Sequence, residues 1–207
     1  MGYDMRIKGD LPEPDADKLA ELHKANEEAS AEASRVRASV VASGTKNWWD
    51  DPEYLKAADA YNDAFTAYMV VKDPGYFRLN SHGMWRYLEA MVALGMAHNH
   101  ASPDIDWESL PDYDDGEDAY YEAKDRLTGV HPGDDPTIPR FKFSSNDGWH
   151  VTPDECRAAV AVWDALQPDG LPADLEDDHR SITKTPYWGK WIDYLRLAAD
   201  SDGFRVH

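Results

Sequence analysis

The chain has 207 residues, and 40 Asp and Glu against 21 Lys and Arg give it a formal net charge of −19. This charge repels nucleic-acid phosphates and anionic lipid surfaces, so we expect no direct binding of nucleic acid or membrane and favour a basic protein as partner. Hydrophobic residues make up 42% of the chain and include eight Trp, so the composition is that of a folded globular protein.

Cysteine usage and hydropathy bear on the compartment. Cys156 is the only cysteine, so no disulfide can form within the chain. The first residues lack an apolar signal core, and no stretch approaches the ~18 apolar residues that a membrane span needs. We therefore expect a cytoplasmic protein.

The first third of the chain predicts a short strand followed by two helices. Tyr3, Met5 and Ile7 alternate with polar residues, which indicates a strand. Asp15 can cap a helix that runs to about Ser43, and Asp51 with the following proline can cap a second helix that ends near residue 73. The two helices predict an antiparallel helical hairpin over about 14–73.

The remaining two thirds predict further helices and a small sheet. A helix over 81–94 should end at Gly95, and a short helix is expected over about 115–127. The segment 140–151 is predicted to form a β-hairpin, and the tail 204–207 is predicted to form a strand.

Helix-capping signals recur near the carboxyl end. Thr152 to Glu155 form a capping box that should open a helix, and Thr185 with Pro186 should open the last one. The acidic residues Asp174, Glu176, Asp177 and Asp178 are predicted to lie in a loop between them. The fold class is α+β and predominantly helical: a long helical hairpin plus helices around a small antiparallel sheet, in a single domain of residues 1–207 with the hairpin as a sub-region.

Four segments of the sequence are distinctive. They are Met1-Gly2-Tyr3-Asp4-Met5, Tyr76-Phe77-Arg78-Leu79-Asn80 followed by Gly83-Met84, Lys142 through Glu155, and Gly203-Phe204-Arg205-Val206-His207. Together they resemble a family of uncharacterised actinobacterial and actinobacteriophage proteins. The resemblance implies an origin and a shared fold, and it transfers no catalytic residue.

A candidate ligand-binding cleft is predicted where the two terminal strands would meet the 140–151 hairpin. Polar and titratable groups beside aromatic walls are typical of ligand sites. The alternative is structural: a turn at 146–147, a helix cap at residue 80 and aromatic side chains in the core. The candidate residues are Asn80, His82, Trp85, Asn146, Asp147, His150 and His207.

No metal or cofactor is predicted. His98 and His100 lie near Asp104 and Asp106, but the spacing of these groups defines no recognised metal site. The chain has neither a Walker loop nor a Gly-x-Gly-x-x-Gly fingerprint, and Cys156 falls among apolar residues that suggest a buried thiol.

Two classes of function remain open. The first is an acidic module that binds or regulates another protein. If the chain is phage-encoded, that other protein would belong to the host. A special case is a mimic of nucleic acid, in which carboxylates along one face replace phosphates. The second is a small-molecule-binding protein or an enzyme that uses the candidate cleft. The residues leave enzymatic activity undecided.

Overall fold

The computed structural model describes residues 2–11, 13–128, 135–166, 170–173 and 175–207. The chain divides into two compact units. The sheet unit comprises Met1–Asp10 and Gly75–His207, and the hairpin unit comprises Leu11–Pro74.

Helices dominate the described chain, as expected for the predicted class. The α-helices are α1 (Ala16–Ala42), α2 (Pro52–Lys72), α3 (Ser81–Ala93), α4 (Glu117–Thr128), α5 (Pro153–Leu166), α6 (Asp177–Thr183) and α7 (Pro186–Ala199). The strands are β1 (Gly2–Ile7), β2 (Tyr76–Asn80), β3 (Ala97–His98), β4 (Ile138–Pro139), β5 (Trp149–Val151) and β6 (Phe204–Val206).

Strands from both ends of the chain meet in one antiparallel sheet of order β2-β1-β6-β5. Met5 pairs with Val206, and Trp149 pairs with the same residue from the other side. Since side chains alternate across a strand, Phe204 and Val206 share the core face while Arg205 projects to the opposite face. The prediction that the terminal strands close a small sheet is confirmed, as is the α+β, mostly helical class.

The hairpin unit consists of α1 and α2 packed antiparallel. The Asp15 carboxylate accepts hydrogen bonds from two α1 amides at 3.0 Å, and Asp51 caps α2 in the same way. The ring of His23, early in α1, lies 5.2 Å from that of Tyr68, late in α2. Val40 is the buried residue of α1, and α2 has none, so this unit has almost no core of its own.

The sheet unit, in contrast, has an extensive aromatic and aliphatic core. Helix α7 supplies the largest buried side chains, Trp188 and Trp191, and the Trp191 ring lies 5.2 Å from that of Phe77 on β2. Helices α3 and α5 pack on the same core through residues such as Met91 and Cys156. The sheet is therefore covered on the face that bears Phe204 and Val206.

The local signals at the helix ends are confirmed. Gly95 takes a φ of +77° after α3, a conformation that glycine adopts without strain. The Glu155 carboxylate accepts from the Thr152 amide at 2.7 Å, and the Thr152 hydroxyl accepts from the Glu155 amide at 3.3 Å. The Thr185 hydroxyl accepts from the Trp188 amide at 3.2 Å, so both predicted helix starts carry their caps.

Two local predictions were wrong, and one strand was not predicted. Arg140–Phe143 is a 3₁₀ helix instead of the first strand of a β-hairpin, because Phe141, Lys142 and Phe143 are all buried and a strand would have exposed one of its faces. Residues 177 and 178 begin helix α6 instead of lying in a loop. Residue 174 of the same predicted loop lies outside the described residues. Strand β2 was not predicted, since its partner β1 lies about 70 residues away in sequence.

Candidate functional site

The predicted cleft residues fall into two groups. Asn80 caps α3, with its side-chain oxygen accepting from the Gly83 amide at 2.7 Å. The rings of His82 and Trp85 stack nearby with centroids 6.5 Å apart, and Trp85 is 57% exposed. This group lies at the β2 edge of the sheet.

The other four residues lie at the opposite edge, around β5 and β6. Asn146 and Asp147 occupy the bend before β5, while His150 and His207 lie on or next to the paired strands β5 and β6. Because β1 separates β2 from β6, the structure does not bring all seven residues to one cleft. A ligand-binding role for either group stays a prediction.

Helix α4 covers the second group with an ion-pair cluster that was not foreseen from sequence. Arg205, only 7% exposed, donates to both carboxylate oxygens of Asp125 at 3.1 and 2.7 Å. Its guanidinium also lies 4.0 Å from the centroid of the Tyr121 ring. Nδ1 of His150 is 3.6 Å from the same Asp125 carboxylate, so one acidic side chain binds α4 to two strands.

The electrostatics of this cluster reflect burial. Burial lowers the pKa of the Lys124 ammonium to about 8. That ammonium donates to the Asp147 carbonyl and lies 4.2 Å from the centroid of the Trp149 ring. Burial likewise lowers the pKa values of His150 and His207. Such groups can serve as acids or bases, but here each one already contacts protein atoms that fasten α4 to the sheet.

A second buried ion pair joins the 3₁₀ helix to α5. The Lys142 ammonium donates to both oxygens of the Glu155 carboxylate at 2.7 and 2.8 Å, and to the His150 carbonyl at 2.6 Å. Glu155 also belongs to the capping box of α5. All these partners are internal, so the pair has a structural role.

The groups considered for metal or thiol chemistry are also engaged internally. Nδ1 of His98 is 3.2 Å from the Thr137 hydroxyl. In the parts of the chain that the structure describes, no three His, Cys, Asp or Glu residues are arranged to hold a metal ion. Burial raises the pKa of the Cys156 thiol, as expected for a cysteine inside the core.

The hairpin unit presents side chains that the fold leaves in solvent. On α2, Leu55 is 46% exposed, Phe65 42% and Val70 50%. At 100° per residue these three positions span an arc of about 140°, with Leu55 and Val70 about 60° apart and Phe65 on the side of Tyr61. The Phe65 and Tyr61 rings lie 6.0 Å apart. We call Leu55, Phe65 and Val70 the outer face of α2.

An acidic edge borders the outer face. Asp59 and Asp63 fall within about 40° of Val70 around the helix axis. Both are exposed, and within the described residues neither one forms an ion pair or a side-chain hydrogen bond. An apolar stripe beside two unpaired carboxylates is a typical contact surface for an amphipathic helix with basic residues.

Comparisons with known proteins add no relative. No protein-family model, no curated protein and no solved structure matches this chain. Among the helices of the described residues, none combines the length and the apolar character needed to cross a membrane.

Proposed function

We propose that this protein is an interaction module that binds a basic amphipathic helix of a partner protein on the outer face of α2. The observation that supports it is the exposure of Leu55, Phe65 and Val70 on a helix that buries none of its own residues. Apolar patches beside polar rims are typical of protein contact sites.

The incomplete core of the hairpin supports the same proposal. Two antiparallel helices share a single seam, and here that seam contains Val40 as its buried apolar residue. A third helix laid along α2 would bury Leu55, Phe65 and Val70 and complete a three-helix arrangement.

The acidic residues beside the outer face indicate the charge that a partner helix should carry. Asp59 and Asp63 lie along one edge of the outer face, and among the described residues no ion pair neutralises them, so a partner helix should carry Lys or Arg along the matching edge. A second copy of this chain fits less well. In an antiparallel symmetric pair of α2 helices the two acidic edges would meet, and like charges at close range repel.

The test uses the whole chain as bait, with substitutions at the outer face. We expect Phe65→Asp to weaken capture of the partner at least ~10-fold, as is usual for an apolar anchor. Asp59→Lys with Asp63→Lys should remove the salt sensitivity of capture. Leu127→Asp, at an exposed leucine of the sheet unit, is the matched control and should leave capture unchanged.

Cross-linking identifies the bound segment. A photoreactive side chain at residue 65 should attach to a helix that is apolar on one face and basic along an edge. The proposal is wrong if nothing is captured, if Phe65→Asp and Leu127→Asp behave alike, or if residue 65 cross-links to a second copy of this chain or to an acidic segment.

A further inference from the structure

The hairpin unit also contains a small cavity between its two helices. Its volume is about 200 Å3, and it is lined by Ser30, Ala33, Ser34, Arg37, Tyr54 and Tyr61. The α1 residues follow one another at helical spacings of three and four, and the two tyrosines are two turns apart on α2, so regular helix geometry brings all six together.

The polar side chains around this cavity form no hydrogen bond or ion pair with the described residues. In the described residues of the chain, the hydroxyls of Ser30, Ser34, Tyr54 and Tyr61 form no side-chain hydrogen bond, and the Arg37 guanidinium forms no ion pair. Hydroxyls can donate or accept, but a guanidinium can only donate. Among the described residues that line the cavity there is no carboxylate, although the chain as a whole carries a charge of −19.

Aromatic packing holds the Arg37 guanidinium in place. It lies 4.4 Å from the centroid of the Trp48 ring, and Trp48 packs edge-on against Tyr54 with ring centroids 5.0 Å apart. A guanidinium stacked on an indole keeps its N–H groups in the plane of the fork, where they can bind both oxygens of a carboxylate or phosphate. The stack therefore preorganises the charged donor beside the cavity.

We propose that this cavity binds a small organic anion, with its carboxylate or phosphate group at Arg37 and the serine hydroxyls and its ring or short chain between Tyr54 and Tyr61. The volume lies below the ~300 Å3 at which sites for drug-sized ligands begin. A single ring with one anionic group is therefore a suitable probe. This proposal does not depend on the partner helix proposed above, although the ring of Tyr61 lies 6.0 Å from that of Phe65 on the outer face of α2.

Titration calorimetry on the whole chain tests the site with three probes: benzoate, phenyl phosphate and the neutral benzyl alcohol. Saturable binding of one or both anions, at least ~10-fold tighter than that of benzyl alcohol, is the expected result. The stronger of the two anions then identifies the head group. Absence of saturable binding for both anions up to ~10 mM would overturn the proposal, as would equal binding of benzyl alcohol.

Two variants locate the binding. Arg37→Gln should weaken anion binding at least ~10-fold, because it removes the guanidinium that would bind the anionic group. Arg35→Gln removes an exposed α1 arginine that pairs with Glu32 outside the cavity, and binding should change less than ~2-fold. Equal losses in the two variants would overturn the site, since they would indicate only a general effect of charge. Far-ultraviolet circular dichroism of both variants checks that α1 and α2 remain helical.

Discussion

The two units use their side chains in opposite ways. In the sheet unit, large aromatic residues and even charged groups such as Lys142 and Arg205 are buried against internal partners. In the hairpin unit, Val40 is the buried apolar residue, while Phe65 and Val70 are exposed. A side chain that is buried against internal partners cannot bind a ligand or partner. Among the described residues, the hairpin unit has more exposed large apolar side chains for its length than the sheet unit, although the sheet unit also has some.

This comparison also explains why the most chemically suggestive cluster is not the best candidate site. Burial lowers the pKa values of Lys124 and His150, and together with Asp125 and Arg205 these residues form the kind of dense charge cluster expected of an active site. Structural ion pairs produce the same shifts, however, and here the donors and acceptors satisfy one another. By contrast, the Arg37 guanidinium forms no ion pair within the described residues, and the Phe65 side chain is exposed.

The largest expected effect concerns the buried ion pair of the sheet unit. Lys142→Met removes the ammonium and leaves the Glu155 carboxylate buried without its cation, which should cost about 3–5 kcal/mol in the free energy of unfolding. Adding Glu155→Gln removes the orphaned charge and keeps a capping side chain. The double variant should therefore be more stable than Lys142→Met alone. Urea unfolding followed by tryptophan fluorescence measures both, and a loss below about 1 kcal/mol for the single variant would contradict a buried pair.

A Leu→Ala substitution in each unit tests whether the sheet unit is packed and the outer face of α2 is exposed. Leu195→Ala empties a fully buried position of α7 and should destabilise the protein by about 2–5 kcal/mol. Leu55→Ala truncates an exposed side chain of α2 and should change stability by no more than about 0.5 kcal/mol. Thermal unfolding measures the stability that each variant loses. Similar losses would show that Leu55 belongs to a core, and the outer face would then be no free surface.

Local signals explain which parts of the fold could be predicted. Asp51 with its proline, the capping box at Thr152 and Glu155, and Gly95 each act within a few residues, so sequence alone revealed them. Strand β2 needed its distant partner β1 to be recognised. The alternation in Arg140–Phe143 was misleading because Lys142 is buried by pairing with Glu155, and no local pattern encodes that pairing.

The candidate sites show the same limit. Asp125 and Arg205 are 80 residues apart and meet only because β6 pairs with β1 and β5. The Arg37 cavity could have been partly found from sequence, since Ser30, Ser34 and Arg37 recur at helical spacing. What sequence did not reveal is that Tyr54 and Tyr61 of the neighbouring helix lie opposite them, which depends on the register of the hairpin.

The smallest expected effect is a dependence of stability on pH that originates in the sheet unit. Burial lowers the pKa of His150 in the folded chain, where it faces Asp125, Lys8 and Arg205. The unfolded chain then binds the proton first as the pH falls below about 6.5. Stability should therefore decrease with falling pH and level off below the folded pKa, with a slope of at most about 1.4 kcal/mol per pH unit for this group.

Histidine substitutions show which residue causes this dependence of stability on pH. His150→Gln keeps a donor for the Asp202 carbonyl, which lies 2.8 Å from Nε2 of His150, and it removes the titrating ring. Urea unfolding between pH 7.5 and 5.5 should show a smaller slope for this variant than for the native chain, with His207 supplying part of the remainder because burial lowers its pKa as well. His23→Gln in the hairpin unit is the matched control. If His150→Gln left the slope unchanged, the imidazole of residue 150 would not be held neutral by burial beneath α4.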